Sequence, residues 1–505
     1  MASNNIKQDF SGLCATELFE SGVGLTYEDF TILDTNLTDI NRDDISLETN
    51  LGKGVILKTP IIAAPMDTVT NASVCVAIAL EGGIGVVHYN YKRQDGTPDI
   101  AKQIKDIEDV KRYENGFIEH PITVSPENTI AQAIDIGQNM KVDNSIIDTF
   151  PVTEGGKPHG KIVGLLRKQD YSRTKHTEAK VKERMLPLEK LIMAQWPVTL
   201  DEANDFLWEK HLLYLPVSDN HGNLKYLVTM KDLDKNEEFP LATKDDKKSL
   251  RVLFAVETRP EFAYTRLEAG FAAGADGCVI DTSQGYTGYE LDMINYILTH
   301  YPDKLVIGGN ISTREAYIEL DRAGLDAYRC GQGPGSICTT AGAIGVSRAG
   351  AASVYDCANV NGNMKTIADG GIRQVGDILK AISIGAHAVM LGNMLAGTEE
   401  SPGDTIIDPE SGLPVKLYRG MGSKEANTGG IRGYSKLPQG VSGNVQYKGS
   451  IHQWVPLIRD GLLSGMHALN CLNLDELHSK MRNNILRYER RTIGGMRESS
   501  VHDLK

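Results

Sequence analysis

The chain is 505 residues long, 41% hydrophobic and 24% charged, proportions of a water-soluble globular protein with room for two or more cored domains. Its net charge of −13 argues against general nucleic-acid binding and against attachment to an anionic membrane surface. Fifty-one glycines point to a loop-rich α/β chain and seven cysteines without a CxxC pair to a reducing compartment; with no signal-peptide core and no eighteen-residue apolar run, a cytoplasmic enzyme is expected.

In chain order, a polar leader gives way to a lead-in segment, Gly24 to Leu33, and then to a charged stretch. Ile61 to Asp67 and Ile84 to His88 are short apolar runs on either side of a helix-like segment, the pattern of two parallel strands in a βαβ unit. The pattern resumes with six further runs: Leu250 to Val256, Gly277 to Asp281, Leu305 to Asn310, Asp326 to Cys330, Lys365 to Asp369 and Ala388 to Gly392. Three of the intervening helical segments end alike, in Ala272-Ala-Gly-Ala-Asp276, Arg322-Ala-Gly-Leu-Asp326 and Ser383-Ile-Gly-Ala-His387. There the glycine suits the position just past a helix C-terminus. Two plus six units predict a (β/α)8 TIM barrel, with chemistry at the C-terminal ends of the strands. A doubly wound sheet competes, but no GxGxxG follows the first strand.

Between the second and third units, residues 117–238 form an insert, leaving 1–116 and 239–505 to the barrel. Its two halves are related: Ile122 to Ala133 and Pro197 to Ala203 each read as strand, capped turn and helix, and each half then reaches a strand and a charged turn, Ile162 to Asp170 and Leu224 to Asp232. An internal duplication placed in a loop is a separate small module.

The most unusual stretch is Gly331-Gln-Gly-Pro-Gly-Ser-Ile-Cys-Thr-Thr340. Three glycines at alternate positions and a proline fit neither a helix interior nor a regular strand, so the backbone must turn tightly and approach something closely. A thiol flanked by hydroxyls on such a loop suits nucleophilic attack on a bound small molecule. A glycine turn with an incidental cysteine would look the same in isolation. Other strand ends also carry unusual residues: Met66-Asp67, Asp281 to Gly285, Gly308-Gly-Asn310, Asp369-Gly-Gly371 and Gly392-Asn393.

Taken together, the cysteine loop, the Asp369-Gly-Gly371 turn, Tyr418-Arg-Gly-Met-Gly-Ser423 and the insert make the chain resemble the family of IMP dehydrogenases and GMP reductases from about Gly22 onward. The insert itself resembles a tandem pair of CBS domains, which commonly bind adenine or guanine nucleotides. The resemblance implies NAD-dependent oxidation of IMP to XMP, with Cys338 adding to C2 of the purine and Thr340 handling the hydrolytic water. It implies that Ser336, Asp369, Gly370, Gly371, Gly392 and Asn393 hold the ribose and phosphate of IMP, with Tyr418, Met421, Gly422 and Gln439 around phosphate and purine. Asn393 departs from the serine common in the family. Asp281, Thr282, Ser283 and Asn310 fall on the dinucleotide, with Gly331 and Gly333 beside the nicotinamide.

The same resemblance implies a potassium ion on carbonyls of Gly333, Gly335 and Cys338. Glu498, Ser499 and Ser500 would complete that site from a neighbouring subunit of a homotetramer, although two family glycines are serines here. The pattern breaks at the flap after Ser423. Dehydrogenases carry an adjacent Arg-Tyr pair that activates water, whereas here Gly433 separates Arg432 from Tyr434 in a short flap. That departure keeps a GMP reductase open, and a purine-nucleotide sensor without turnover is the third reading. Pro438 to Gly443 and the insert favour the dehydrogenase.

Overall fold

The computed structural model describes residues 11–20, 22–34, 37–113, 117–118, 121–139, 147–230, 238–426 and 437–499. It divides into two compact units, one of residues 1–107, 241–243 and 251–505, the other of 108–240 and 244–250.

In the first unit all eight expected strands form one closed parallel barrel: β1 (Ile61–Ala63), β2 (Ile84–Val87), β3 (Val252–Val256), β4 (Gly277–Ile280), β5 (Leu305–Ile311), β6 (Ala327–Cys330), β7 (Lys365–Asp369) and β8 (Ala388–Leu391). Neighbours pair in chain order, and β8 closes on β1. The helices that follow the strands are α1 (Ala72–Leu80), α2 (Ile100–Arg112), α3 (Pro260–Ala272), α4 (Gly288–His300), α5 (Arg314–Arg322), α6 (Gly350–Ala358), α7 (Val375–Ser383) and α8 (Ile451–Ala468). A doubly wound sheet is thereby excluded.

Because strands of a parallel barrel are covered on both sides, they read as continuous apolar runs, and β2, β3, β4 and β8 are buried throughout. Alternate residues fill the interior: Ile62, Ile84, Val86, Leu253, Ala255, Val279, Ile307, Ala327, Ile367, Ala388 and Met390 form one apolar cluster. Leu51, Val55 and Leu57 belong to it as well. They sit on a short hairpin, Thr49–Asn50 against Ile56–Leu57, and Gly52 lies against Leu305 and Asp326 at the starts of β5 and β6. The charged stretch read from the sequence is therefore a plug for the N-terminal mouth of the barrel.

The recurrent helix ending also acquires a mechanism. Gly274, Gly324 and Gly385 have φ of +95°, +86° and +117°, the left-handed region in which glycine ends a helix at least cost. The residue two further on then stitches neighbouring strands at that same mouth. Asp276 accepts the amide of Val252 at 2.9 Å, Asp326 that of Val306 at 3.0 Å, and His387 Nδ1 that of Thr366 at 3.1 Å. An acceptor nitrogen must be unprotonated, and burial lowers His387 to about 2.

An arm follows β8: β9 (Ile406–Ile407), β10 (Pro414–Arg419) and β11 (Ser442–Gln446) form an antiparallel sheet. It presents Tyr418 and the segment 420–422 toward the strand ends.

In the second unit, two small cores repeat one design. Helix Ile130–Asn139 packs on a sheet of Phe150–Thr153, Ile162–Leu166 and Leu186–Pro187, and helix Leu200–Glu209 on one that includes Ala194–Gln195, Tyr214–Ser218 and Leu224–Thr229. Both helices start with a reciprocal capping box. Thr129 and Gln132 exchange bonds of 3.0 and 3.2 Å, and Thr199 and Glu202 exchange bonds of 2.8 and 3.2 Å. The unit reaches back to Glu108 and forward to Leu250 because Lys111 Nζ bonds both Asp245, at 3.0 Å, and the Leu250 carbonyl, at 2.9 Å.

Candidate active site

At the C-terminal ends of the strands, the loops enclose a cavity of ≈ 340 Å³, within the usual range for a small-molecule site. The loop 331–340 forms one wall. Gly331, with φ +150°, passes so near the end of β7 that a Cβ there would lie 2.0 Å from the Asp369 carbonyl. Gly370 has φ +88°, and a Cβ there would lie 3.0 Å from the Pro334 ring, so the cysteine loop and the Asp369-Gly-Gly371 turn interlock through missing side chains. Gly392 faces the Tyr418 hydroxyl and the Met66 sulfur on the opposite side.

Of the seven cysteines, six are buried and Cys338 is only partly so. Burial raises the thiols of Cys75, Cys278, Cys330 and Cys471, which makes them poor nucleophiles. Cys338 Sγ stands 3.0 Å from Thr340 Oγ1, and Thr340 donates to Gln439 Oε1 at 3.2 Å. The backbone enforces this triplet. Cys338 bridges Gly440, the Val441 amide donates to Ile337, and the Thr339 amide donates to Gln439. Residues a hundred positions apart are thus held as two edges of one ribbon. Ser336 bonds the Tyr418 hydroxyl, and burial pushes that phenol up to about 12, so it is a neutral hydrogen-bonding group.

The other wall centres on Arg329, a buried side chain of β6. Its guanidinium donates to Asp281 at 2.9 Å, to Asp369 at 3.2 Å and to Asn310 Oδ1. Burial disfavours the charge, but the two carboxylates outweigh that and raise the guanidinium above the usual arginine value. Asn310 Nδ2 in turn donates to Asp369 at 2.8 Å and to the Gly331 carbonyl at 2.7 Å. A single cation therefore orients two carboxylates that both line the cavity. Gln332 completes the floor, donating to carbonyls of Ser283 and Asn310.

Every expected substrate or dinucleotide contact lines this cavity. Cys338 and Thr340 share it with Ser336, Asp369, Gly370, Gly371, Gly392, Asn393, Tyr418, Met421, Gly422 and Gln439, and with Asp281, Thr282, Ser283, Asn310, Gly331 and Gly333. Gly335 lines it too, with its carbonyl accepting the Cys338 amide at 3.0 Å. Glu498 and Ser499 do not line it. They end the helix Ile493–Glu498, where the Ser499 hydroxyl bonds its own helix and Arg491. Arg432, Tyr434 and Ser500 lie outside the described residues. Asp67 turns away from the cavity to a bidentate ion pair with Arg419, which clamps the arm to the end of β1. Reasoning from sequence missed Arg329 and Glu290, whose buried carboxyl group lies behind Thr282. The signal for Arg329 was available: a lone charge inside an otherwise apolar barrel strand needs partners.

The family model described as IMP dehydrogenase / GMP reductase domain matches residues 24–502. The chain belongs to this family. It is 38% identical over 496 residues to the inosine-5′-monophosphate dehydrogenase of Schizosaccharomyces pombe, covering 95% of this chain and 91% of that protein. It is 37% identical over 493 residues to the enzyme of the same name from Aquifex aeolicus, covering 95% and 96%. Among solved structures, GMP reductase from Trypanosoma brucei in complex with guanosine 5′-monophosphate superposes with a TM-score of 0.86 at 32% identity, covering 96% of this chain and 98% of that one. The same enzyme in complex with guanosine 5′-triphosphate gives 0.76 at 29%, covering 93% and 98%. Among the described residues no helix is long and apolar enough to cross a membrane.

Proposed function

We propose that the chain oxidises IMP to XMP with NAD+, a step toward guanine nucleotides. The observation that carries this reading is the Cys338–Thr340–Gln439 triplet in a family member whose curated relatives are dehydrogenases along almost its whole length. Cys338 Sγ forms a bond to C2 of the purine while its proton leaves by way of Thr340. C2 then gives up its hydrogen as hydride to NAD+, and a thioimidate remains on Cys338. Water adds to C2, the C–S bond breaks, and XMP departs from the regenerated thiol. Splitting oxidation and hydrolysis into two steps is covalent catalysis. NAD+ supplies only the hydride acceptor. Asp281 and Asp369, both aimed by Arg329, offer acceptors to ribose hydroxyls of the two ligands, and the amides of Gly370, Gly371, Gly392 and Asn393 suit the phosphate of IMP.

A GMP reductase is the second reading, supported by the Trypanosoma brucei structures and by Gly433 between Arg432 and Tyr434. Incubation with IMP, NAD+ and potassium separates them: NADH and XMP appear together if the first reading holds. NADPH consumption with GMP, and no NADH from IMP, would replace it with the second. Arg432 is the water activator in the first reading. Arg432→Ala then leaves an NADH burst of about one equivalent per site followed by turnover slowed about 10²–10⁴-fold, the range of a lost general base. Hydrolysis at the wild-type rate would remove Arg432 from that role.

The remaining assignments belong to the same proposal. Potassium is held by carbonyls of Gly333, Gly335 and Cys338, with Glu498, Ser499 and Ser500 of a second copy closing the site, so the working form is at least a dimer, and a homotetramer is the form the family resemblance implies. Two similar capped halves in the second unit suit a tandem CBS pair that binds an adenine or guanine nucleotide.

A further inference from the structure

Glu290 is fully buried on the first turn of α4 and takes no part in the chemistry above. Its Oε1 accepts the Gly309 amide at 2.7 Å, and its Oε2 lies 3.0 Å from Thr282 Oγ1. That same hydroxyl lies 2.8 Å from the Gly309 carbonyl. A threonine has one hydroxyl hydrogen. Against a carboxylate, Thr282 would satisfy one oxygen and leave two acceptors facing each other across the second contact. With a proton on Oε2, both contacts are hydrogen bonds: Glu290 donates to Thr282, and Thr282 donates to Gly309.

We propose that Glu290 acts as a neutral carboxylic acid, a positioning residue whose proton locks Thr282 to Gly309 and so holds the floor of the dinucleotide half of the cavity. This deepens the dehydrogenase reading and rests on its assignment of that half of the cavity to NAD+. The floor is continuous: the Asn310 amide donates to the Thr282 carbonyl at 2.9 Å, the Thr282 amide to Gly309 at 3.2 Å, and Asn310 reaches Asp369 and Gly331. The charged groups facing Glu290 are Arg329 from β6 and Asp281 from the end of β4. From β5 the Gly309 amide meets it, and Gly308 lies between Glu290 and Leu325. Burial dominates that balance over the Gly309 and Thr282 hydrogen bonds and over Arg329, and with Asp281 it raises Glu290 to about 8. Above that pH the anion claims the Thr282 hydrogen, Gly309 loses it, and Asp281 acquires a like-charged neighbour.

Glutamine is the variant that tests the proton, because its amide keeps one donor toward Thr282 and one acceptor toward Gly309 at every pH. The apparent KM for NAD+ of the wild-type enzyme rises up to about tenfold at one pH unit above the glutamate's pKa, as the competent fraction falls to about one tenth. Glu290→Gln shows no such rise, and Glu290→Ala has an elevated KM throughout. Two readouts do not need turnover. A folded pKa raised above the unfolded one makes wild-type stability fall as pH rises from the ordinary glutamate range to about 8. The melting temperature of Glu290→Gln therefore exceeds that of wild type by a margin that widens across this window and is constant above it. The infrared band of a protonated carboxylic acid, present in wild type at neutral pH, is missing from Glu290→Gln. Parallel melting profiles and no lost band would overturn the neutral acid; identical KM profiles in an active enzyme would overturn its hold on the dinucleotide site. If wild type does not turn over IMP with NAD+, the functional reading fails while the melting and infrared results still decide the protonation of Glu290.

Discussion

Cys338→Ala abolishes hydride transfer, lowering kcat by about 10⁴–10⁶-fold, the scale on which loss of a covalent nucleophile is felt. The fold is untouched, because the thiol is only partly buried and its hydrogen bond is with the Thr340 hydroxyl two residues on. Circular dichroism and melting temperature should match wild type, and IMP should still bind, since the contacts proposed for its phosphate and ribose, Ser336, Asp369, Gly370, Gly371, Gly392 and Asn393, are all kept. The complementary measurement is alkylation. Iodoacetamide at neutral pH modifies Cys338 ahead of the six buried cysteines, and saturating IMP protects it. A Cys338→Ala enzyme that still forms NADH at a comparable rate, or a wild-type enzyme whose alkylation elsewhere accounts for inactivation, would remove Cys338 from the chemistry.

How much of this site could be read from the chain depends on the kind of interaction. The eight strands were legible because a parallel strand buried on both faces leaves a continuous apolar run, and the helix ends were legible through Gly274, Gly324 and Gly385. The hairpin plug was not, since Leu51, Val55 and Leu57 stand among polar residues and show their purpose only once the barrel mouth exists to receive them. Cys338, Thr340 and the glycine turns announced themselves by local composition. Gln439 came through resemblance, and only the ribbon between the cysteine loop and residues 439–441 explains why it must be there. Asp67 drew attention beside Met66 at a strand end, yet its partner is Arg419, more than three hundred residues away. Among polar residues whose role is to orient other polar residues, Arg329 carries a local signal as a charge within an apolar strand, whereas Glu290, on the first turn of a helix, carries none and escaped notice.

Arg329 is the strongest test of that last class. Replacing it by methionine keeps the stem but leaves Asp281 and Asp369 without their cation and Asn310 Oδ1 without a donor, all at the wall of one cavity. Removing one partner of a buried ion pair costs about 3–5 kcal/mol, and here two carboxylates lose the same partner. Arg329→Met is therefore expected to unfold at markedly lower denaturant, with an unchanged slope. Binding should suffer on both sides of the cavity at once, because one guanidinium aims the carboxylate assigned to each ribose. Calorimetric titration with IMP alone isolates the Asp369 side. Titration of NAD+ onto the IMP-loaded Cys338→Ala protein, with and without Arg329→Met, isolates the Asp281 side. Arg329→Lys restores the charge but not the rescue, since one ammonium cannot present the planar set of donors that spans Asp281, Asp369 and Asn310. Loss of affinity for only one ligand would mean that the two carboxylates are positioned independently. Wild-type stability in Arg329→Met would show that the cluster is solvated enough to do without its cation.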